Sequence, residues 1–125
     1  MKKVFGITSA KVAGVTFDGR QGKLWYLRKN IEGAYLTVRH EKGNERDKNA
    51  VAVIAHCPST NRHFQIGYMP REKALWMSRN LDAGLAIYVR SFEITGGRNT
   101  NLGVTVRLNY ELPNVNIALV EQENA

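Results

Sequence analysis

The chain has 125 residues, 43% of them hydrophobic, and a formal net charge of +7. That length fits one globular domain with a core large enough to fold without cross-links, and the single cysteine, Cys57, excludes an intrachain disulfide framework and suits a reducing cytoplasm. All 18 Lys and Arg lie within residues 1–110, whereas the charged residues of 111–125 are acids only, so a polyanion, most often nucleic acid, is the expected partner of the basic body.

The N-terminus "MKKVFGITSAKVAG" has the lysines of a secretory signal, but Thr8, Ser9 and Lys11 break its apolar run, and it reads as a first strand. No stretch approaches the ~18 consecutive apolar residues of a membrane helix, so no membrane partner is expected. Short strands then follow in "AKVAGVTF", "AYLTVRH", "NAVAVIA", "HFQIGYM", "AIYVRSFEI", "LGVTVRLNYEL" and "VNIALVE", separated by Gly, Asn and Asp clusters. Alternation is clearest at Leu102, Val104, Val106, Leu108 and Tyr110, which predicts one buried face, with Thr105, Arg107 and Asn109 on the other. One principal helix is expected at about residues 70–83: Pro70 opens it, Glu72 favours its first turn, Ala74, Met77 and Leu81 form a buried stripe, and Gly84 ends it. Many short strands with one helix predict a mainly β domain, as a small curved barrel or two packed sheets.

Catalytic motifs are absent. His40, His56 and His63 are isolated in sequence, no phosphate-binding Gly-rich loop or Gly-x-Ser-x-Gly elbow occurs, and Cys57 has no activating partner nearby, so no enzyme activity and no cofactor are expected. His56, Cys57 and His63 fall near one hairpin, but a structural zinc site needs four ligands, and a solvated hairpin is the reading preferred. Single-stranded nucleic acid is bound by aromatic platforms beside cationic grooves. Phe17, Trp25, Tyr26, Tyr68 and Tyr88 are candidate platforms. Phe17 and Tyr68 stand out, since each closes an apparent strand and is followed by an arginine, Arg20 and Arg71.

The ordered set "VAGVTFDGRQ", "LTVRHEKGNERDKNAVAV", "IGYMPREKALWM" and "ITGG" resembles the HIRAN domain, a module at the N-terminus of helicase-like DNA-repair remodellers that also occurs as a stand-alone prokaryotic or phage protein. The resemblance covers about residues 4–108. It implies a modified OB-like β-barrel over residues 1–110, with residues 111–125 as a C-terminal strand and acidic tail belonging or appended to the same domain.

In DNA-end-binding members of that family the polar loop walls a pocket for the 3′ end of a single strand. Carried over by position, Asn44 and Asp47 occupy the pocket, Asp47 accepts a hydrogen bond from the terminal 3′-hydroxyl, Phe17 stacks on a base, and Tyr68 and Arg71 lie along the backbone. Arg20, in the "GRQ" typical of the prokaryotic branch, is placed at the pocket mouth. The chain departs from the eukaryotic pattern at Thr16, Phe17 and Asp18, where those members carry Arg-Tyr-Tyr, at Arg46 in place of a Tyr, and at Thr95 near a Phe. Arg46 offers a guanidinium plane for stacking instead. The loop also has a purely local reading: Asp47 capping backbone amides at the head of the strand, a task that Asn49 is expected to perform.

The function implied is a non-catalytic module with a basic groove that binds single-stranded DNA, at an exposed 3′ end, and directs a helicase, nuclease or replication partner to damaged or stalled DNA. The alternative is a protein-interaction adaptor that keeps the barrel without the end pocket.

Overall fold

The computed structural model describes the backbone of residues 2–113 and the side chains of residues 8–110. Two three-stranded antiparallel sheets make the frame. In one, β1 (Lys2–Lys11) and β5 (Ala86–Thr95) flank β6 (Gly103–Pro113); the other is a meander of β2 (Tyr35–His40), β3 (Val51–Cys57) and β4 (Arg62–Tyr68). Helix α1 (Arg20–Lys29) follows β1, and α2 (Arg71–Asp82) follows β4.

Alternation fixes which face of each strand is buried. Leu102, Val104, Val106, Leu108 and Tyr110 all enter the core, while Arg107 is exposed. From the other sheet Val51, Val53, Ala55 and Cys57 join the same core, so Ala52, Ile54 and His56 point to the opposite face. The β-branched residues of β3 suit this central position, paired on both sides.

The mainly β fold is as expected, in the form of two sheets, and among the described residues these do not form one closed hydrogen-bonded ladder. They are joined where the chain leaves β1. The Val12 amide still bonds the Val104 carbonyl at 2.9 Å, but Ala13 exchanges both backbone bonds with Tyr68, at 2.7 and 2.9 Å. The chain thus changes sheets within two residues. Gly67 permits this, because a Cβ there would strike the Ala13 carbonyl oxygen and come within 2.7 Å of Val12 Cγ1.

Helix α2 lies where the sequence places it, with Pro70 as N-cap rather than as the first helical residue, and with Ala74, Met77 and Ser78 buried while Leu81 is half-buried. Helix α1 is a second helix that the sequence reading missed. It begins after the left-handed Gly19 (φ 71°) with no side-chain cap, and it packs Leu24 and Leu27 into the core. Gln21 fastens its first turn: its amide nitrogen donates to the Val15 and Leu102 carbonyls at 3.0 and 2.9 Å, and its oxygen accepts the Leu102 amide at 2.8 Å. "AKVAGVTF" is therefore not one strand. Phe17 sits in the turn between β1 and α1, its amide bonded to the Gly14 carbonyl at 3.2 Å. The strand expected over "VNIALVE" and the acidic tail lie outside the described residues.

Candidate nucleic-acid interface

A pocket of about 770 Å³ opens at the seam between the sheets. The β1–α1 turn supplies Ala13, Gly14, Phe17 and Asp18, and the first residue of α1 is Arg20; the polar loop after β2 supplies Glu41, Asn44, Glu45, Arg46, Asp47 and Ala50; Tyr68, Met69 and Arg71 complete the lining. Eight of the ten residues singled out in the sequence thus line one cavity. Thr16 and Thr95 are exposed and are not among the lining residues.

Its wall is a self-capped loop. The Glu41 amide bonds the Ala50 carbonyl at 2.8 Å and closes the loop. Asn44 Oδ1 accepts the amides of Arg46 and Asp47, each at 2.9 Å, and Asp47 Oδ1 accepts the Asn49 amide at 2.9 Å. These Asx turns explain why so polar a segment precedes the buried strand β3: its side chains satisfy backbone groups that no ladder reaches. The capping side chain is that of Asp47, and Asn49 provides the amide, the reverse of the role expected for Asn49. Asp47 Oδ2 turns instead toward Arg71 Nε, 3.9 Å away.

The opposite wall is built on Arg20. This arginine is only 8% exposed, so it belongs to the pocket's interior and not to its mouth. Its Nη1 donates to the Gly14 carbonyl at 2.9 Å, its Nη2 lies 3.5 Å from Asp18 Oδ2, and its guanidinium sits over the Tyr68 ring, 5.4 Å from the centroid. Gly14 (φ 73°) takes a left-handed turn there, and a Cβ would approach Arg20 Nη1 to 3.3 Å. Tyr68 in turn donates its hydroxyl to Glu41 Oε1 at 2.9 Å, an oxygen that also accepts Asn44 Nδ2 at 3.1 Å. Arg20, Tyr68, Glu41, Asn44 and Asp47 therefore form one continuous frame. Glu41 has no motif to announce it; only the approach of Tyr68, 27 positions away in sequence, reveals it.

The charge of the cavity differs from the basic groove expected. Three arginines line it, but so do four carboxylates, those of Asp18, Glu41, Glu45 and Asp47. The chemistry of such a lining suits hydrogen-bond donors such as hydroxyl or amino groups, with room for a single anionic group beside Arg20 or Arg71. Phe17, 66% exposed at the rim, offers an open ring for stacking. Among the other candidate platforms, Tyr26 packs edge-on against Phe64, Trp25 lies beside Arg28 on α1, and Tyr88 is exposed on β5, all outside the pocket lining.

The His–Cys cluster is divided by the sheet. Cys57 is buried in the core while His56 and His63 pair on the outer face, and no group of three metal-ligating side chains assembles among the described residues. No helix among the described residues is long and apolar enough to cross a membrane.

A crystal structure of a protein from Lactobacillus plantarum shares this fold, with a TM-score of 0.62 over 90% of this chain and 100% of that one, at 20% sequence identity. Comparison with curated proteins gives no match. The HIRAN domain family model matches residues 5–111, a span that takes in both helices, every residue of the pocket and both sheets except the outer ends of β1 and β6. The chain belongs to the HIRAN domain family.

Proposed function

We propose that this HIRAN domain is a non-catalytic module that binds single-stranded DNA and captures its free 3′ end in the pocket at the sheet seam. Family membership indicates nucleic-acid recognition. The observation that carries the finer reading is the pairing, in one cavity, of acceptor carboxylates on the framed polar loop with a buried arginine stacked on Tyr68. A terminal 3′-hydroxyl is a donor that a carboxylate recognises, and an internal phosphodiester has no such donor. The last phosphate would meet Arg20 or Arg71, and the adjacent base the Phe17 ring. A module of this kind would bring a helicase or nuclease partner to exposed ends at damaged or stalled DNA.

The test is a titration of the protein with a linear oligonucleotide bearing a free 3′-hydroxyl and with a circle of the same sequence. The linear strand is expected to bind at least about tenfold more tightly, a difference of about 1.4 kcal/mol. Equal affinities with steep salt dependence would replace end capture by general single-strand binding, and shallow salt dependence for both would leave the adaptor role.

A further inference from the structure

The pocket's four carboxylates raise a question about the rest of the strand: a polyanion leaving this cavity needs a path free of negative charge. The sheet of β2, β3 and β4 provides one. Its strands, "YLTVRH", "VAVIAHC" and "RHFQIGY", contain no Asp or Glu. Its outer face begins at the pocket itself, because Tyr68 and the exposed Arg39 are the two cross-strand partners of Ala52, a small residue that is itself fully buried between them. Four residues further along β3, about 13 Å at the rise of a strand, the same face carries three rings in register. Tyr35 and His56 are cross-strand partners stacked at 4.6 Å with their planes 6° apart; His56 and His63 are also cross-strand partners, at 6.0 Å and 26°. The Thr37 hydroxyl contacts His56 Nε2 at 2.8 Å and fixes the middle ring. Tyr35 at the end of the row is 50% exposed, and His63 at the other end is exposed too.

We infer that this row of Tyr35, His56 and His63 is a second nucleobase platform, which stacks bases of the same strand some nucleotides before the end held in the pocket. The inference rests on the end-capture reading for the polarity of the strand, and it assigns the outer sheet face as the track between the two contacts. Charge complementarity favours a nucleic acid as occupant. Within the three strands the cationic group on this face is Arg39 and there is no carboxylate, and the exposed end rings Tyr35 and His63 match the sequence-tolerant stacking by which single strands are held. Burial lowers the pKa of His56, which favours an uncharged middle ring between Tyr35 and His63 and leaves the outer faces of those two end rings for bases.

The experiment compares a trinucleotide with an octanucleotide of thymidine, both with free 3′-hydroxyls, on the wild-type protein, on the Tyr35→Ala/His63→Ala double variant and on Tyr35→Phe. The octanucleotide is expected to bind wild type at least about fivefold more tightly than the trinucleotide, the increment of one stacked base. The double variant is expected to lose that increment while it holds the trinucleotide as wild type does, and Tyr35→Phe is expected to keep it. Exposure of both truncated rings keeps the fold intact, which matching thermal melts would verify. An increment undiminished in the double variant would overturn the platform and leave the pocket reading standing. An octanucleotide bound through the ladder, with no trinucleotide binding, would sink the pocket reading and keep the platform; absence of binding at both lengths would overturn both.

Discussion

Asp47 divides its carboxylate between two tasks: Oδ1 caps the Asn49 amide at 2.9 Å, and Oδ2 faces Arg71 at 3.9 Å across the pocket. Arg71 is 82% exposed along its side chain, so this pair contributes little to stability. What it does is hold the first residue of α2 beside the cavity, where the amides of a helix N-terminus also face outward. Arg71→Ala is therefore expected to leave the melting temperature nearly unchanged, weaken single-stranded DNA binding and lower the slope of log K against log salt by about 0.7, one phosphate contact. Unchanged affinity and slope would remove Arg71 from the interface.

Phe17 allows a clean separation of binding from folding. Its ring is exposed, and its local structure rests on backbone bonds, from its own amide to Gly14 and from the Arg20 amide to its carbonyl. Phe17→Ala is expected to cost about 1–3 kcal/mol of single-strand binding with no comparable loss in thermal stability. A loss of about 3–5 kcal/mol in stability would instead mark it as a core residue.

Gly67 tests the seam. A methyl group there meets the Ala13 carbonyl and Val12, so Gly67→Ala must push the sheets apart at the Ala13–Tyr68 bridge. Overpacking of this kind costs about 1–3 kcal/mol. Chemical denaturation is expected to show that loss, and DNA binding is expected to fall with it, since Tyr68 anchors the frame of the pocket. Wild-type stability in this variant would contradict the placement of the seam.

The polar loop is also clipped from outside by His40. Its Nδ1 lies 2.8 Å from the Asp82 carboxylate and its Nε2 2.7 Å from the Lys48 carbonyl, two acceptors that together favour the doubly protonated ring. The Lys48 carbonyl and then Asp82 raise its pKa above the ordinary 6.5, partly opposed by burial and, less, by Lys42, which lies 3.7 Å from Asp82. A raised folded-state pKa means that the contribution is complete below pH 6.5 and is lost as the pH rises through the raised value. The hydrogen bond from His40 holds the Asp82 carboxyl below its usual range, so acidification through that depressed value also removes the clip. Melting temperatures of wild type and His40→Ala are expected to differ most in the window between those two values and to converge in alkali. A gap that stays constant with pH would contradict the clip.

How far the sequence reached follows from where the information is local. The alternation from Leu102 to Tyr110 and the spacing of Ala74 and Met77 are written in neighbouring residues, and these elements have the burial expected of them. Helix α1 is not written that way. Gly22 interrupts it, Leu24, Trp25, Tyr26 and Leu27 form a run with no visible period, and its start depends on a left-handed glycine and on Gln21 reaching across to Leu102. The resemblance places Arg20 at the pocket mouth; its burial depends on the Gly14 carbonyl and the Tyr68 ring, which only the seam brings together. Asn44 and Asp47 were legible as a loop wall through their motif, whereas Glu41 has no such signature. Closure of the sheets into a barrel was an expectation of the resemblance, and the described residues show a single backbone bridge between the two sheets.

The most direct test of end capture is chemical discrimination of the terminus. Under the proposed end capture a 3′-hydroxyl would donate to a carboxylate of the pocket, whereas a 3′-phosphate would bring nearly two negative charges toward Asp47 and Glu41. Competition titrations on the wild-type protein, with strands identical except for that group, are expected to show the phosphorylated strand at least about tenfold weaker, or about 1.4 kcal/mol. Asp47→Asn keeps an oxygen for the Asn49 amide, so the loop survives, and the gap is expected to narrow without vanishing because Glu41 remains. Equal binding of the two strands to the wild type would contradict 3′-end capture.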